Sequence, residues 1–154
     1  ESLGIASRTF AHPAVFTVEE SLRHTAHLPG AHVKNLFLKD KKGKLWLVTC
    51  RHDLRVDLNA LSRRLGAARF SFGKPELLKG VLGVEPGSVT PLALANDAGG
   101  QVQAVLDSGL MQHAQVNCHP LRNTASTAIG SADLVRFMRS NGHEPIVSEI
   151  DELA

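Results

Sequence analysis

The sequence predicts an α+β fold, and three observations carry that prediction. Residues 32–50 read as a hairpin, with two apolar, β-compatible runs on either side of the charged, glycine-containing turn "KDKKGK". Four other stretches carry helix start and stop signals. Helices and strands do not alternate in the βαβ manner of a doubly wound protein. With 154 residues, the chain suits a single domain with its own core.

Each element has a local reason. "TVEESLRHTAHL" opens with Thr17 and places Glu20 three residues later, a capping box, so a helix is expected over 18–27, ended by Pro29 and Gly30. "HVKNLFLKDKKGKLWLVTC" follows as strand, turn and strand, and the nearly continuous apolar run "LWLVTC" places its second strand inside the sheet. In "DLNALSRRLG", Asp57 is the N-cap, Leu58, Leu61 and Leu65 share one face, and Gly66 is the stop. "KPELLKGVLG" reads as a short helix with Pro75 in its first turn and Gly83 after it. "VEPGSVTPLAL" reads as a loop leading into an apolar strand. "QVQAVLD" and "AQVNCHP" show partial alternation, and "NTASTAIG" is rich in β-branched and small residues, so three strands are expected. "SADLVRFMRSNGH" is a closing helix with Ser131 as N-cap and Gly142 as C-cap, and "EPIVSEI" is a final edge strand. Helices should therefore cover part of a mostly antiparallel or mixed sheet.

Composition narrows the functional classes. The chain is 43% hydrophobic and 21% charged, ordinary for a globular protein. No run approaches the roughly 18–20 apolar residues that cross a bilayer. The first residues lack a basic segment followed by an apolar one, so no signal peptide is expected. Cys50 and Cys118 lie far apart and form no CxxC site, which fits a reducing cytoplasm. A net charge of +2 and a pI near 8.7 permit a nucleic-acid partner without requiring one. The cations cluster in "KDKKGK" (39–44), "RHDLR" (51–55) and "RRLGAAR" (63–69), each of which alone reads as a solvated surface.

Several chemistries find little support. Of eight histidines, His24 and His27 share a helical face, but no further ligand pattern accompanies them, and zinc usually takes three or four ligands. No metal is expected. There is no GxSxG elbow. Cys118 and His119 are adjacent on a strand and should point apart, so Cys118 reads as a buried structural thiol. There is no P-loop or GxGxxG. "GSVTP" (87–91) has a glycine that allows close backbone approach and a proline that stiffens its exit. Such a loop can offer donors to an oxyanion, and it can equally be a plain turn. "NCHPLRNTAST" (117–127) gathers polar groups at a corner between strands, which suits a ligand rim and an ordinary turn alike. Lys34, upstream of "LFL", reads on periodicity alone as a solvated residue at a strand end.

Taken together, "KNLFLKD" (34–40), "LGVEPGSVTPLALAND" (82–97) and "NCHPLRNTAST" (117–127) resemble the freestanding prolyl-tRNA editing proteins. These are relatives of the YbaK family and of the insertion domain of bacterial prolyl-tRNA synthetase. The similarity is strongest to the branch that hydrolyses alanyl-tRNA(Pro), often called ProXp-ala or PrdX, and it runs from about residue 10 to 150. Leu92 departs from the pattern, since many relatives carry an aromatic there.

The resemblance implies one α+β domain, a curved mixed β-sheet flanked by helices, acting as an aminoacyl-tRNA deacylase without a cofactor. It implies that Lys34 lies beside the terminal nucleotide, that the Gly87 backbone faces the reacting ester, and that His119 orients substrate or shuttles a proton. Asn35, Ser88, Val89, Thr90, Pro91 and Asn117 would contact the aminoacyl end. Lys39, Arg69 and Lys74 are the candidates for tRNA phosphates, Arg69 because it precedes a strand, and the helix over 18–27 is a candidate lid. The expected partner is the acceptor end of tRNA(Pro), with transient association with prolyl-tRNA synthetase or elongation factor, in a monomeric cytoplasmic protein that engages no membrane. The alternatives are the same fold acting on mischarged serine or cysteine, and a nonenzymatic tRNA-binding or synthetase-docking module.

Overall fold

The predicted hairpin forms the centre of an eight-stranded sheet. The computed structural model describes residues 7–11, 31–52, 56–85, 88–97, 99–112, 115–118, 125–148 and 150. The helix expected over 18–27 lies outside them. In chain order, the strands are β1 (Ser7–Ala11), β2 (Ala31–Asp40), β3 (Leu45–Arg51), β4 (Phe70–Phe72), β5 (Val102–Asp107), β6 (Gln115–Cys118), β7 (Ala125–Gly130) and β8 (Ile146–Ser148). The helices are α1 (Leu58–Arg64), α2 (Pro75–Leu82) and α3 (Ser131–Ser140), with 3-10 helices at Pro91–Asn96 and Ser108–Gln112.

The sheet runs β1-β7-β6-β2-β3-β5-β8, with β4 also beside β2. Strand β2 pairs antiparallel with β3 along one edge, from Val33 opposite Arg51 to Lys39 opposite Leu45. Its other edge is shared. Ala31 and His32 pair in parallel with β6, whereas Leu38 to Asp40 pair antiparallel with β4. The β3–β5 and β5–β8 pairs are parallel, so the sheet is mixed as expected.

Asp40 closes the hairpin. Its Oδ1 accepts the backbone N–H groups of Lys42 and Lys44, at 2.9 and 3.0 Å, and its Oδ2 accepts the Trp46 indole N–H at 3.2 Å. Gly43 takes φ of +87°, a conformation that a side chain would disfavour.

Both faces are covered. Phe37, Leu47, Ala104 and Leu106 pack under α2, α3 and the first 3-10 helix. Leu38, Trp46, Val48 and Val105 pack with Leu61 of α1. Leu45 to Cys50 are all buried, as the continuous apolar run of β3 requires. Asp57 caps α1 as predicted, accepting from the N–H groups of Asn59 and Ala60.

Three expectations are corrected. "PLALA" is a 3-10 helix, not a strand, because Thr90 caps it by accepting from the Leu92 N–H and Pro91 supplies its first-turn φ. Ser131 is the first helical residue of α3, and Gly130 is its N-cap. At the other end of that helix, Asn141 is the C-cap and Gly142, one residue beyond, takes φ of +79°.

Candidate functional site

The site is organised from β2, where alternation divides the side chains. Val33 and Phe37 belong to the core under α2 and α3, so Asn35, between them in the period-two pattern, faces that side. Leu36 and Leu38 belong to the α1 side, so the Cβ of Lys34 leaves the strand on that opposite face. The neighbours Lys34 and Asn35 therefore address two sides of the sheet.

Asn35 is bonded at both ends of its amide. Thr49, its partner in the β3 register and 1% exposed, donates its hydroxyl to Asn35 Oδ1 at 2.7 Å. Asn35 Nδ2 donates to the Val89 carbonyl at 3.1 Å. The loop that carries "SVTP" is thus fastened to the lysine-bearing strand. Ser88, Thr90 and Pro91 are buried there and Val89 is half-buried against the core. Asn96 donates to the Leu82 carbonyl at 2.8 Å, tying the far end of the 3-10 helix to the end of α2. Gly87 lies outside the described residues.

Asn117 is buried on β6, directly beside His32, two residues before Lys34. His119 lies outside the described residues. Beyond the Asn35–Thr49 pair, the strand ends are closed by Asp107, which is 1% exposed. Its Oδ2 accepts from the Arg51 backbone N–H and Nε–H at 3.3 and 3.1 Å, and its Oδ1 accepts from the Gly109 N–H at 3.0 Å.

The C-terminal end of β2 borders an open groove of about 900 Å³. Lys39, Arg69 and Lys74, far apart in sequence, all line it, together with Lys41, Phe72 and Glu76. The Lys41 N–H donates to the Arg69 carbonyl at 3.0 Å, which holds the hairpin turn against the entry to β4. Asp40 also borders the groove. Its burial pushes the carboxyl pKa up, but the N–H groups of Lys44, Trp46 and Lys42 outweigh this and hold it below the usual value. Asp40 is thus an anion consumed internally, and four cations face Glu76 as the one other acid of the groove.

The structure therefore gathers part of the predicted set into two places and leaves Lys34 on the face of β2 opposite Asn35. Asn35, Val89 and the buried loop form one; Lys39, Arg69 and Lys74 form the other. Four residues of β2, about 13 Å of strand, separate Asn35 from Lys39. Lys41 and Phe72 were not expected as groove residues. Lys41 sits in a turn whose charges read as solvated, and a strand as short as β4 has no periodicity to display.

Among the described residues, no group of three or more histidine, cysteine, aspartate or glutamate side chains could hold a metal ion. Nor is any of their helices long and apolar enough to cross a membrane.

Residues 12–137 match the family model of the aminoacyl-tRNA editing domain. Over 151 residues the chain is 46% identical to the prolyl-tRNA synthetase associated domain-containing protein 1 of Danio rerio, spanning 97% of this chain and 82% of that protein. Over 144 residues it is 31% identical to the prolyl-tRNA editing protein ProX of Acetoanaerobium sticklandii, spanning 93% of this chain and 88% of the relative. Among solved structures, one described as a proposed trans-editing enzyme for prolyl tRNA synthetase superposes with a TM-score of 0.73 at 21% identity, over 95% of this chain and 87% of that one. At that identity the likeness is one of fold.

Proposed function

The chain belongs to the aminoacyl-tRNA editing domain family, and from that premise we propose that it hydrolyses alanine from mischarged tRNA(Pro). The observation that carries this reading is the Asn35–Val89 hydrogen bond, which fixes a stiff, buried loop against the strand bearing Lys34. The names of relatives in Danio rerio and Acetoanaerobium sticklandii support the prolyl system as the source of the substrate.

An aminoacyl ester on ribose is already activated. Its hydrolysis needs positioning and stabilisation of a developing oxyanion more than a protein nucleophile. In this reading, Lys34 takes the phosphate of the terminal nucleotide as a point charge. Backbone groups around Gly87 face the reacting carbonyl and the attacking water. The free ribose hydroxyl of the terminal adenosine helps place that water. His119 orients the aminoacyl end or moves the proton to the leaving ribose oxygen. Asn35 acts through Val89, as a positioning residue for the loop. Asn117 lines the aminoacyl end from β6, and Ser88, Thr90 and Pro91 shape its pocket.

Selectivity has to come from exclusion. Alanine and proline differ only in apolar atoms, and attraction separates such pairs by about 1–3 kcal/mol. A small pocket with rigid walls rejects the pyrrolidine ring by clash, as a second sieve does. Val89 and the buried Thr90–Pro91 turn are suited to be those walls. Lys39, Arg69 and Lys74 hold acceptor-end phosphates. The partners of this reading are the tRNA acceptor end and, in passing, prolyl-tRNA synthetase or elongation factor, with a monomeric cytoplasmic protein as the working form.

The test is deacylation of a panel of tRNAs charged with alanine, serine, cysteine and proline, with the tRNA body exchanged in parallel. Rapid loss of alanine from tRNA(Pro) with proline retained is expected. Preference for serine or cysteine would move the assignment to another substrate of the same chemistry. Binding of tRNA without any hydrolysis would overturn the enzymatic reading.

A further inference from the structure

Strand β4 carries two phenylalanines with different surroundings. Phe70 is 5% exposed and meets Trp46 edge-on, with ring centroids 5.4 Å apart. Phe72 is 65% exposed, the largest exposure among the large hydrophobic side chains described. Alternation puts both on one face of β4, so the two rings differ in cover and not in face.

Phe72 is nevertheless held in place. It pairs with Leu38 in the β2–β4 register. The next residue, Gly73, donates its N–H to the Phe37 carbonyl at 2.9 Å. Gly73 also lies so close to the Phe37 ring that a Cβ would overlap Cδ2 and Cε2. The backbone that presents Phe72 is therefore pinned to a core residue, and the ring shares its groove with Lys39, Lys41, Arg69 and Lys74.

Its position relative to Lys34 follows from the register. Phe72 stands opposite Leu38, and Lys34 lies on the same face of β2 four residues back, about 13 Å along the strand. An aromatic ring among cations is the arrangement that single-stranded nucleic acid uses: the ring stacks a base while the cations take phosphates. Inside a duplex the base faces are stacked on one another, whereas an unpaired base leaves its face open to such a ring.

We propose that Phe72 is a stacking platform for a base of the unpaired 3′ end, upstream of the terminal nucleotide at Lys34. The inference rests on the reading above that the substrate is an aminoacylated tRNA end. It adds that this groove receives single-stranded nucleotides, through a residue outside the aminoacyl pocket.

Two measurements test it. The first uses an uncharged acceptor-stem hairpin carrying 2-aminopurine in place of an unpaired 3′ base. The wild-type protein and Phe72→Tyr should quench its fluorescence by stacking; Phe72→Ala and Phe72→Leu should not. The second measures deacylation of the charged substrate. The loss in Phe72→Ala and Phe72→Leu should fall on KM, by about 5- to 150-fold, as expected for one lost base–ring contact, with Phe72→Tyr close to wild type.

Leucine serving as well as phenylalanine would overturn stacking and leave a plain apolar contact, such as one with a protein. An unchanged KM in Phe72→Ala would overturn the proposal outright. Hydrolysis by a wild-type protein that leaves the probe unquenched sinks the stacking inference alone. Quenching without hydrolysis of any aminoacyl ester sinks the enzymatic reading and keeps the stacking site.

Discussion

Asn35 and Val89 are 54 residues apart in sequence and joined by a 3.1 Å hydrogen bond from the side-chain amide to the backbone carbonyl. With Thr49 donating to the same amide, one side chain links two strands and the loop.

Removing that link should affect stability and rate in different ways. Asn35→Ala leaves the buried Thr49 hydroxyl and the Val89 carbonyl without their partner, which should cost about 1–3 kcal/mol in chemical denaturation. Asn35→Asp keeps an acceptor for Thr49 and loses the donor to Val89. It should recover part of the stability and none of the loop tether. If the tether positions the reacting groups, both variants lose deacylation in single-turnover assays, and Asn35→Asp loses more rate than its stability explains. Wild-type rates in Asn35→Asp would show that the loop holds its position without this bond.

Lys34→Ala should nearly abolish deacylation while the thermal unfolding midpoint stays close to wild type, since the role proposed for the ammonium is toward substrate. Wild-type turnover in this variant would remove Lys34 from the mechanism.

The groove makes a salt prediction. Each phosphate neutralised on a single strand contributes about 0.7 to the slope of log affinity against log salt. Lys39→Ala, Arg69→Ala and Lys74→Ala should each weaken tRNA binding and flatten that slope by about this amount. A variant that binds more weakly with an unchanged slope would be acting through packing and not through a phosphate.

Val89→Ala should relax discrimination between alanine and proline esters by widening a wall of the pocket. The readout is the ratio of kcat/KM for the two charged tRNAs. An unchanged ratio would locate the sieve elsewhere.

Acid should weaken the floor of the loop. Asp97, at the end of the first 3-10 helix, accepts from the Val102 N–H at 2.8 Å and meets His143 Nε2 at 3.0 Å, both side chains being almost wholly buried. Burial pushes the Asp97 pKa up, but the His143 contact and backbone N–H donors outweigh it, so the carboxyl sits below its ordinary value. A lowered folded pKa gives stability that is fully present above the unfolded value of about 3.9 and lost as pH falls through the folded one. Asp97→Asn should therefore be less stable than wild type at neutral pH, and the gap should narrow below about pH 4. A gap of constant size at pH 3 and pH 7, measured by urea denaturation, would mean that the charge contributes nothing.

Much of this architecture is legible in the sequence wherever its cause is local. The Asp57 cap, the Gly83 stop of α2 and the hairpin around Gly43 are each written within a few residues, and the structure has them there. "PLALA" shows the limit, because a short apolar run has no period to separate strand from 3-10 helix and the Thr90 cap decides it. The edge strand β1 owes its existence to β7, more than a hundred residues later, as the register of Ser7 opposite Ile129 shows. The site is split in the same way. Lys39, Arg69 and Lys74 could be named singly from charge, but their shared groove depends on β4 folding back on β2. The Asn35–Val89 bond spans too much chain for any local pattern to reveal it.

The shared edge of β2 has one more consequence. Asn35 meets the loop at the middle of the strand, and Lys39 meets the groove near its C-terminal end, with no break between them. A rigid strand of this kind acts as a ruler between the two places. Inserting one residue between Asn35 and Lys39 would turn every later side chain to the wrong face, and inserting two would restore the faces but lengthen the ruler by about 7 Å. The turn at Lys41–Lys44 can vary in length without altering that measure, and the segment between Asn35 and Lys39 cannot.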